Sequence, residues 1–253
     1  VLNTTISHLE SINEKYLLIV TSDHGFGPVD KTLFLNNALI DMDYTDLKHT
    51  VGTRLRSALH SRGGNLLNAY RILSTFGVAE EVLSMSYGDS WLGSALEWLR
   101  EKLLLGSEDI DYERSDCFSM GNFGQIFLQN ESVETELVSD LLSYRVDGER
   151  IIDQVYTATD EFHGDEVDRA PDVMLETPSY RYVTSRGFAL GTDNILTDHV
   201  LQRTADHKPT GVVFATGDPV DPTSDMGEPT LEDILPTIMN ALGEPLPAFV
   251  DGS

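Results

Sequence analysis

The stretch Leu17 to Gly25, LLIVTSDHG, constrains the fold of this chain more than any other. Tyr16 to Val20 is a short, continuous run of large apolar residues, the composition of a strand covered on both faces in a parallel sheet. Ser22, Asp23 and His24 end the run, and Gly25, Gly27 and Pro28 break it. Ligands in open α/β sheets collect just beyond the carboxyl ends of strands, so Asp23 and His24 stand where chemistry is usually placed. They bring one carboxylate oxygen and one imidazole nitrogen to one locality, a donor pair suited to Zn²⁺ and similar ions. The same residues also read as a turn, with Asp23 bonding backbone amides of the glycine loop and His24 packed beside it.

Around this strand the pattern predicts an α/β fold. Ile6, Leu9, Ile12 and Tyr16 recur at helical intervals and describe an amphipathic helix ending near Lys15. Thr32 is placed to cap a helix through Phe34, Leu35, Ala38 and Leu39. From about Leu47 to Gly106 the sequence reads as mostly helical, clearest over Arg54 to Leu59, Leu66 to Phe76 and Ser94 to Leu105, and residues 47–106 are expected to form a helical cap or insertion. Strands are predicted at Gln125 to Gln129, Ile151 to Thr157 and Asp172 to Leu175, with a helix over Glu131 to Tyr144. Gly211 to Thr216, GVVFAT, reads as a second fully buried strand, and Leu231 to Leu242 as a helix ended by Gly243.

Late in the chain, Thr204 to Gly217 reads TADHKPTGVVFATG and places His207 in a loop four residues before that second strand, either as a ligand or as a loop histidine. Lys31 and Asn36 follow the DHG loop and are candidates for a substrate phosphate, although a solvated lysine and a helix-start asparagine are the simpler readings. His199 is a further candidate for the site or a surface loop residue, whereas His8, His49, His60 and His163 lack partners at ligand spacing. Cys117 is the sole cysteine, which excludes an internal disulfide and a cysteine-based metal cluster; with no activating base nearby it reads as a packing residue. Asp233, at a helix start, favours the helix dipole.

Charge narrows the partners. Asp and Glu number 42 against 17 Lys and Arg, a formal charge of −25, which disfavours binding to nucleic-acid backbone. The acids are scattered rather than gathered in a tail, so the surface carries a diffuse negative field, and adaptation to a high-salt environment is the expectation. No run approaches the eighteen or so apolar residues needed to span a bilayer, and no basic-then-apolar targeting segment opens the chain. The lone cysteine is compatible with a reducing, cytoplasmic setting. The sequence starts at Val1, within what reads as a helix, so the expectation is that further residues precede it.

Taken together, these segments resemble the alkaline phosphatase superfamily, and within it the type I phosphodiesterase and nucleotide pyrophosphatase branch. The resemblance lies in a buried strand ending in SDHGF, the later His207 before a Gly-bounded apolar strand, and a helix with Asp233-Ile234-Leu235-Pro236-Thr237. Leu242-Gly243-Glu244-Pro245-Leu246-Pro247 and Asp251-Gly252 continue the same order, and Tyr156, Phe162-His163-Gly164 and Ala170-Pro171-Asp172-Val173 look like the segment before it. It covers most of the chain and is thinnest from about Leu47 to Gly106. The resemblance implies a three-layer sandwich around a mostly parallel central sheet, with a helical insertion. It implies a hydrolase with two divalent metal ions, Zn²⁺ foremost with Mn or Fe as alternatives, acting on a small phosphorylated substrate, a phosphodiester or nucleotide pyrophosphate. Asp23 and His24 match ligands of one ion and His207 a ligand of the other. The Thr or Ser nucleophile, an Asp and an Asp–His pair that complete such sites match no position here and are expected before Val1, so these 253 residues alone are expected to bind metal weakly and to show little or no turnover. Sulfatases, phosphonate-cleaving enzymes and phosphoglycerate-mutase-like phosphotransferases share the same metal frame, and a non-catalytic protein retaining the fold is the reading from another class.

Overall fold

The computed structural model describes residues 2–12, 15–60, 62, 66–77, 105–121, 123–185, 195–198, 205–250 and 252. In chain order, α1 (Leu2–Ser11), β1 (Leu17–Thr21), β2 (Gly25–Pro28) and β3 (Lys31–Phe34) lead into α2 (Leu35–Asp41), α3 (Val51–His60) and α4 (Leu66–Thr75). Then come β4 (Cys117–Ser119), β5 (Gln125–Leu128), α5 (Glu134–Ser143), the short β6 (Arg145–Val146) and β7 (Glu149–Arg150), β8 (Gln154–Thr157) and α6 (Ala158–Glu161). Strands β9 (Val173–Glu176), β10 (Tyr182–Ser185), β11 (Leu196–Asp198), β12 (Ala205–Lys208) and β13 (Val213–Gly217) precede α7 (Ile234–Leu242). The chain is thus mixed α/β and divides into two units, Pro28–Asp206 and the two chain ends, Val1–Gly27 with His207–Ser253.

Pro28–Asp206 holds the apolar core. Its main sheet, β4-β5-β9-β8, is antiparallel throughout. Leu35 and Leu39 of α2 and Leu137 and Leu141 of α5 pack with Cys117, Ile126 and Val173 of that sheet, all at 0 % exposure. Removing such side chains from water is the main source of stability here. A reciprocal pair of hydrogen bonds ties α2 to α5: the Tyr44 hydroxyl donates to Asp140 at 2.9 Å, and the Tyr144 hydroxyl to Asp41 at 2.7 Å. Further along, Asp109 is nearly fully buried and is held by Arg56, by the Thr53 hydroxyl at 2.8 Å and by the Gly106 amide at 3.2 Å, which fastens α3 to the turn at Ser107–Asp109.

Thr32 does not cap a helix. It is buried inside β3, which pairs in parallel with β10 and antiparallel with β11, and α2 starts at Leu35 without a side-chain cap. Ladder bonds on both edges and burial of Leu33 and Phe34 outweigh the local capping preference of a threonine. Helices α3 and α4 match two of the predicted helical pieces; Ser94 to Leu104 of the third lies outside the described residues.

In the unit formed by the chain ends, β1 and β13 pair antiparallel over five residues each, Leu17 opposite Gly217 and Thr21 opposite Val213. Gly217 has a φ of 130° and a Cβ there would lie 2.1 Å from the Tyr16 carbonyl oxygen, so only glycine closes this end of the pair. Thr230 and Asp233 form the turn that opens α7, and Gly243, at a φ of 72°, ends it as the sequence predicts. No helix among the described residues is long and apolar enough to cross a membrane.

The two-sided burial expected of Tyr16 to Val20 and of Gly211 to Thr216 is not what the strands have. Val20 is 38 % and Phe214 49 % exposed. An apolar run specifies a strand, but its length and composition do not specify how many faces are covered. The described sheets are small and mostly antiparallel, although β3 and β10 pair in parallel, and a parallel central sheet does not occur among them.

Candidate metal centre

The residues of the SDHG sequence are placed by the β1–β13 pair. Where β1 ends, the Ser22 amide donates to the Val212 carbonyl at 3.0 Å and the Val212 amide donates back to the Ser22 hydroxyl at 2.8 Å. This two-way clamp fixes the exit of the strand. Asp23 then accepts the His24 amide at 3.1 Å, so its carboxylate turns back beside the histidine. The signal for Ser22 was present in the sequence, but its role as a clamp depends on Val212 and has no local signature.

The tautomer of His24 follows from its neighbours. Nδ1 lies 2.8 Å from the Gly25 carbonyl oxygen, which only accepts, so Nδ1 carries the hydrogen and Nε2 carries the lone pair in the neutral ring. Nε2 lies 3.6 Å from Asp23 Oδ1. Nε2 and the carboxylate are then two lone-pair donors side by side, a pair that one cation could bridge. Two donors about 2.0 Å from one tetrahedral ion lie about 3.3 Å apart, close to the observed spacing. A backbone carbonyl behind the ligating imidazole is the usual support for a metal-binding histidine.

His207 reaches the same place from the far end of the chain. It lies within β12, which pairs with β2, and not in a loop as its polar neighbours suggest. Its ring centroid is 4.1 Å from that of His24, with the planes inclined at 57°. Gly25 permits this approach: a Cβ on it would lie 1.9 Å from the Thr210 carbonyl oxygen. The glycines that were expected to break the first strand therefore start a second one, because the backbone of residues 207–210 runs close beside it. The site is open, with the Asp23 side chain 82 % and that of His24 39 % exposed. Among the described residues, no three His, Cys, Asp or Glu side chains are grouped to hold a metal ion. The structure joins Asp23 to His24 and His24 to His207, a chain of pairs and not a closed cluster.

The other candidates serve structure. Asn36 is 1 % exposed; its Nδ2 donates to the Ser119 carbonyl at 3.1 Å and its Oδ1 accepts the Ser119 amide at 2.7 Å, so the side chain binds β4 and leaves nothing for a substrate. Lys31 donates to Glu149 at 3.1 Å and lies over the Tyr182 ring, and the bond to Glu149 raises its pKa against the opposing effect of burial. The adjoining cavity of about 370 Å³ also presents Asp147 and Asp198, a lining that repels phosphate. Cys117 is fully buried and burial, with a smaller effect from Asp116, pushes its thiol up to about 12, which leaves it a packing residue. Asp233 accepts the Thr230 amide at 2.8 Å as a cap. His8, His49 and His163 are exposed, while His199 and the His60 side chain lie outside the described residues.

No family model matches the chain, and no match is found among the curated proteins or the solved structures.

Proposed function

We propose that this protein is a metal-dependent hydrolase of phosphoric esters, acting on a phosphodiester or nucleotide pyrophosphate, in which Asp23, His24 and His207 are metal ligands. The observation that carries the reading is the 4.1 Å approach of the His24 and His207 rings, two imidazoles from opposite ends of the sequence, beside a carboxylate. In such a site a pair of divalent ions, Zn²⁺ foremost, supplies the activation of a nucleophilic oxygen and the stabilisation of the entering and leaving oxygens of an in-line displacement. The chain's own residues prepare that chemistry. Gly25 holds the His24 ring so that Nε2 is its free donor, Ser22 fixes the strand end that carries Asp23, and the Asp23 carboxylate offsets the charge of a bound cation. A Thr or Ser nucleophile matches no position of this sequence, so on this reading these 253 residues bind metal weakly and turn over little or no substrate. The reading includes a three-layer sandwich with a mostly parallel central sheet, which the resemblance implies, although β1 itself pairs antiparallel with β13.

Calorimetric titration with inorganic phosphate tests this. Phosphate is expected to bind the Zn²⁺-loaded chain, and not the metal-free chain or an Asp23→Ala variant. Binding indifferent to Zn²⁺ and to Asp23 counts against the hydrolase reading. The absence of a closed three-donor group among the described residues favours one second reading, a scaffold that keeps the fold and binds no metal. On that reading phosphate and Zn²⁺ both fail to bind.

A further inference from the structure

The acidic residues of this chain are spread along it with one long interruption. From Leu47 to Ala79, between Asp46 and Glu80, there is neither Asp nor Glu, although the chain has 42. The same stretch holds Lys48, Arg54, Arg56, Arg62 and Arg71, five of the 17 basic residues. It carries +5, and the remainder, with 12 basic residues against 42 acids, carries −30. Helices α3 and α4 both lie within it. A helix on the surface of a globular protein turns its apolar side inward and its polar side to water. Helix α3 is the reverse. Val51, Leu55 and Leu59 recur every fourth residue, which places them on one face, and they are 85 %, 72 % and 40 % exposed. The residues that fasten the helix to its unit are polar: buried Thr53 donates to Asp109 at 2.8 Å, and Arg56 pairs with the same carboxylate. The other charges of the segment are not neutralised in this way. Lys48 and Arg62 donate to the neutral carbonyls of Glu108 and Ala58, at 2.8 and 2.9 Å, and Arg54 stands exposed beside Leu55. Further along the same acid-free stretch, Ile72 and Phe76, again four apart, are exposed.

We infer that α3 is a docking surface for an anionic phospholipid bilayer, on which the helix lies in the headgroup plane with Val51, Leu55 and Leu59 turned into the lipid. Apolar side chains and fixed positive charge on one short segment match the boundary between acyl chains and acidic headgroups, where each finds its own partner. Charge complementarity selects this partner. The −30 carried by the rest of the chain is repelled from an anionic surface, so attraction is confined to the acid-free stretch and orients the molecule. A nucleic-acid backbone would pair with the arginines but leave the aliphatic stripe in water. A helix that lies on a bilayer is not required to span it, which agrees with the lack of a membrane-crossing helix among the described residues. The inference is independent of the metal-binding reading.

The test is co-sedimentation of the full chain with sucrose-loaded vesicles, made of phosphatidylcholine alone or of phosphatidylcholine mixed with phosphatidylserine. The wild type is compared with the double variants Leu55→Gln/Leu59→Gln and Arg54→Gln/Arg62→Gln. Arg169→Gln, an exposed arginine outside the stretch, is the control. All the replaced side chains are exposed, so the fold is expected to be kept, and far-UV circular dichroism monitors it. The wild type and Arg169→Gln are expected to pellet with the mixed vesicles and not with phosphatidylcholine. The leucine variant is expected to lose binding, and the arginine variant to bind about 25-fold more weakly, about fivefold for each residue. The inference is overturned if the wild type does not pellet with the mixed vesicles, if it pellets equally with both kinds, or if the leucine variant binds as the wild type does. Sedimentation velocity without lipid supplies one more outcome. If the wild type binds no vesicles but forms a dimer that the leucine variant does not, the stripe meets a second copy of this chain and the lipid assignment is wrong.

Discussion

The His24 and His207 rings lie 4.1 Å apart and inclined at 57°, although one ring follows the first strand of the chain and the other precedes its last. The contact depends on backbone proximity. A methyl group on Gly25 overlaps the Thr210 carbonyl at 1.9 Å, and the overlap is with backbone, which cannot swing aside as a side chain can. Gly25→Ala is therefore expected to displace β2 from β12, to cost on the order of 1–3 kcal/mol in stability and to separate the two rings. Urea denaturation and the His207 ring shifts by NMR check both effects, and unchanged shifts would show that the close approach is not needed.

Asp109 is a costly charge to remove, being held by three partners in the Pro28–Asp206 unit. Burial alone would raise its pKa, but the Arg56 guanidinium, the Thr53 hydroxyl and the Gly106 amide together hold it below the ordinary carboxylate value. Asp109→Ala leaves Arg56 without its partner and is expected to cost about 3 kcal/mol.

A depressed pKa in the folded state also fixes the sign of the pH dependence. The stabilisation from Asp109 is fully present above the unfolded value of about 3.9 and is lost as pH falls through the lower folded value. Urea midpoints measured from neutral pH down to pH 2 are expected to fall less steeply for Asp109→Asn than for the wild type. Parallel curves for the two proteins would show that the carboxylate contributes nothing through its charge.

A formal charge of −25 on 253 residues predicts strong self-repulsion at low ionic strength. Raising salt from about 0.1 M to 1 M shortens the screening length from about 10 Å to about 3 Å. The melting temperature followed by circular dichroism is expected to rise markedly in molar KCl, and one equal to that in dilute buffer would remove the case for high-salt adaptation.

The elements most legible in the sequence were those with a complete local signature. The helix ending at Gly243 had both an apolar period and a glycine stop, and Gln125–Leu128 and Val173–Glu176 were short apolar strands after turn residues. Thr32 was misleading because its capping chemistry is local, whereas its partners Val183 and Thr197 in β10 and β11 are far away in sequence. His207 looked like a loop residue because Asp206, His207 and Lys208 make a polar strand with no apolar alternation to announce it. Asp23 and His24 could be singled out by position alone. Their meeting with His207 could be expected only from a resemblance, since nothing local relates the two ends of a chain.

Calorimetric Zn²⁺ titration of the wild type, His24→Ala, His207→Ala and the double variant tests the central claim most directly. If the two imidazoles belong to one two-metal site, each single substitution is expected to lower the Zn²⁺ affinity or stoichiometry, with effects that are not additive in the double variant, because neighbouring ligands of one site are coupled. The account is contradicted if the wild type takes up no Zn²⁺, or if all four proteins bind it equally.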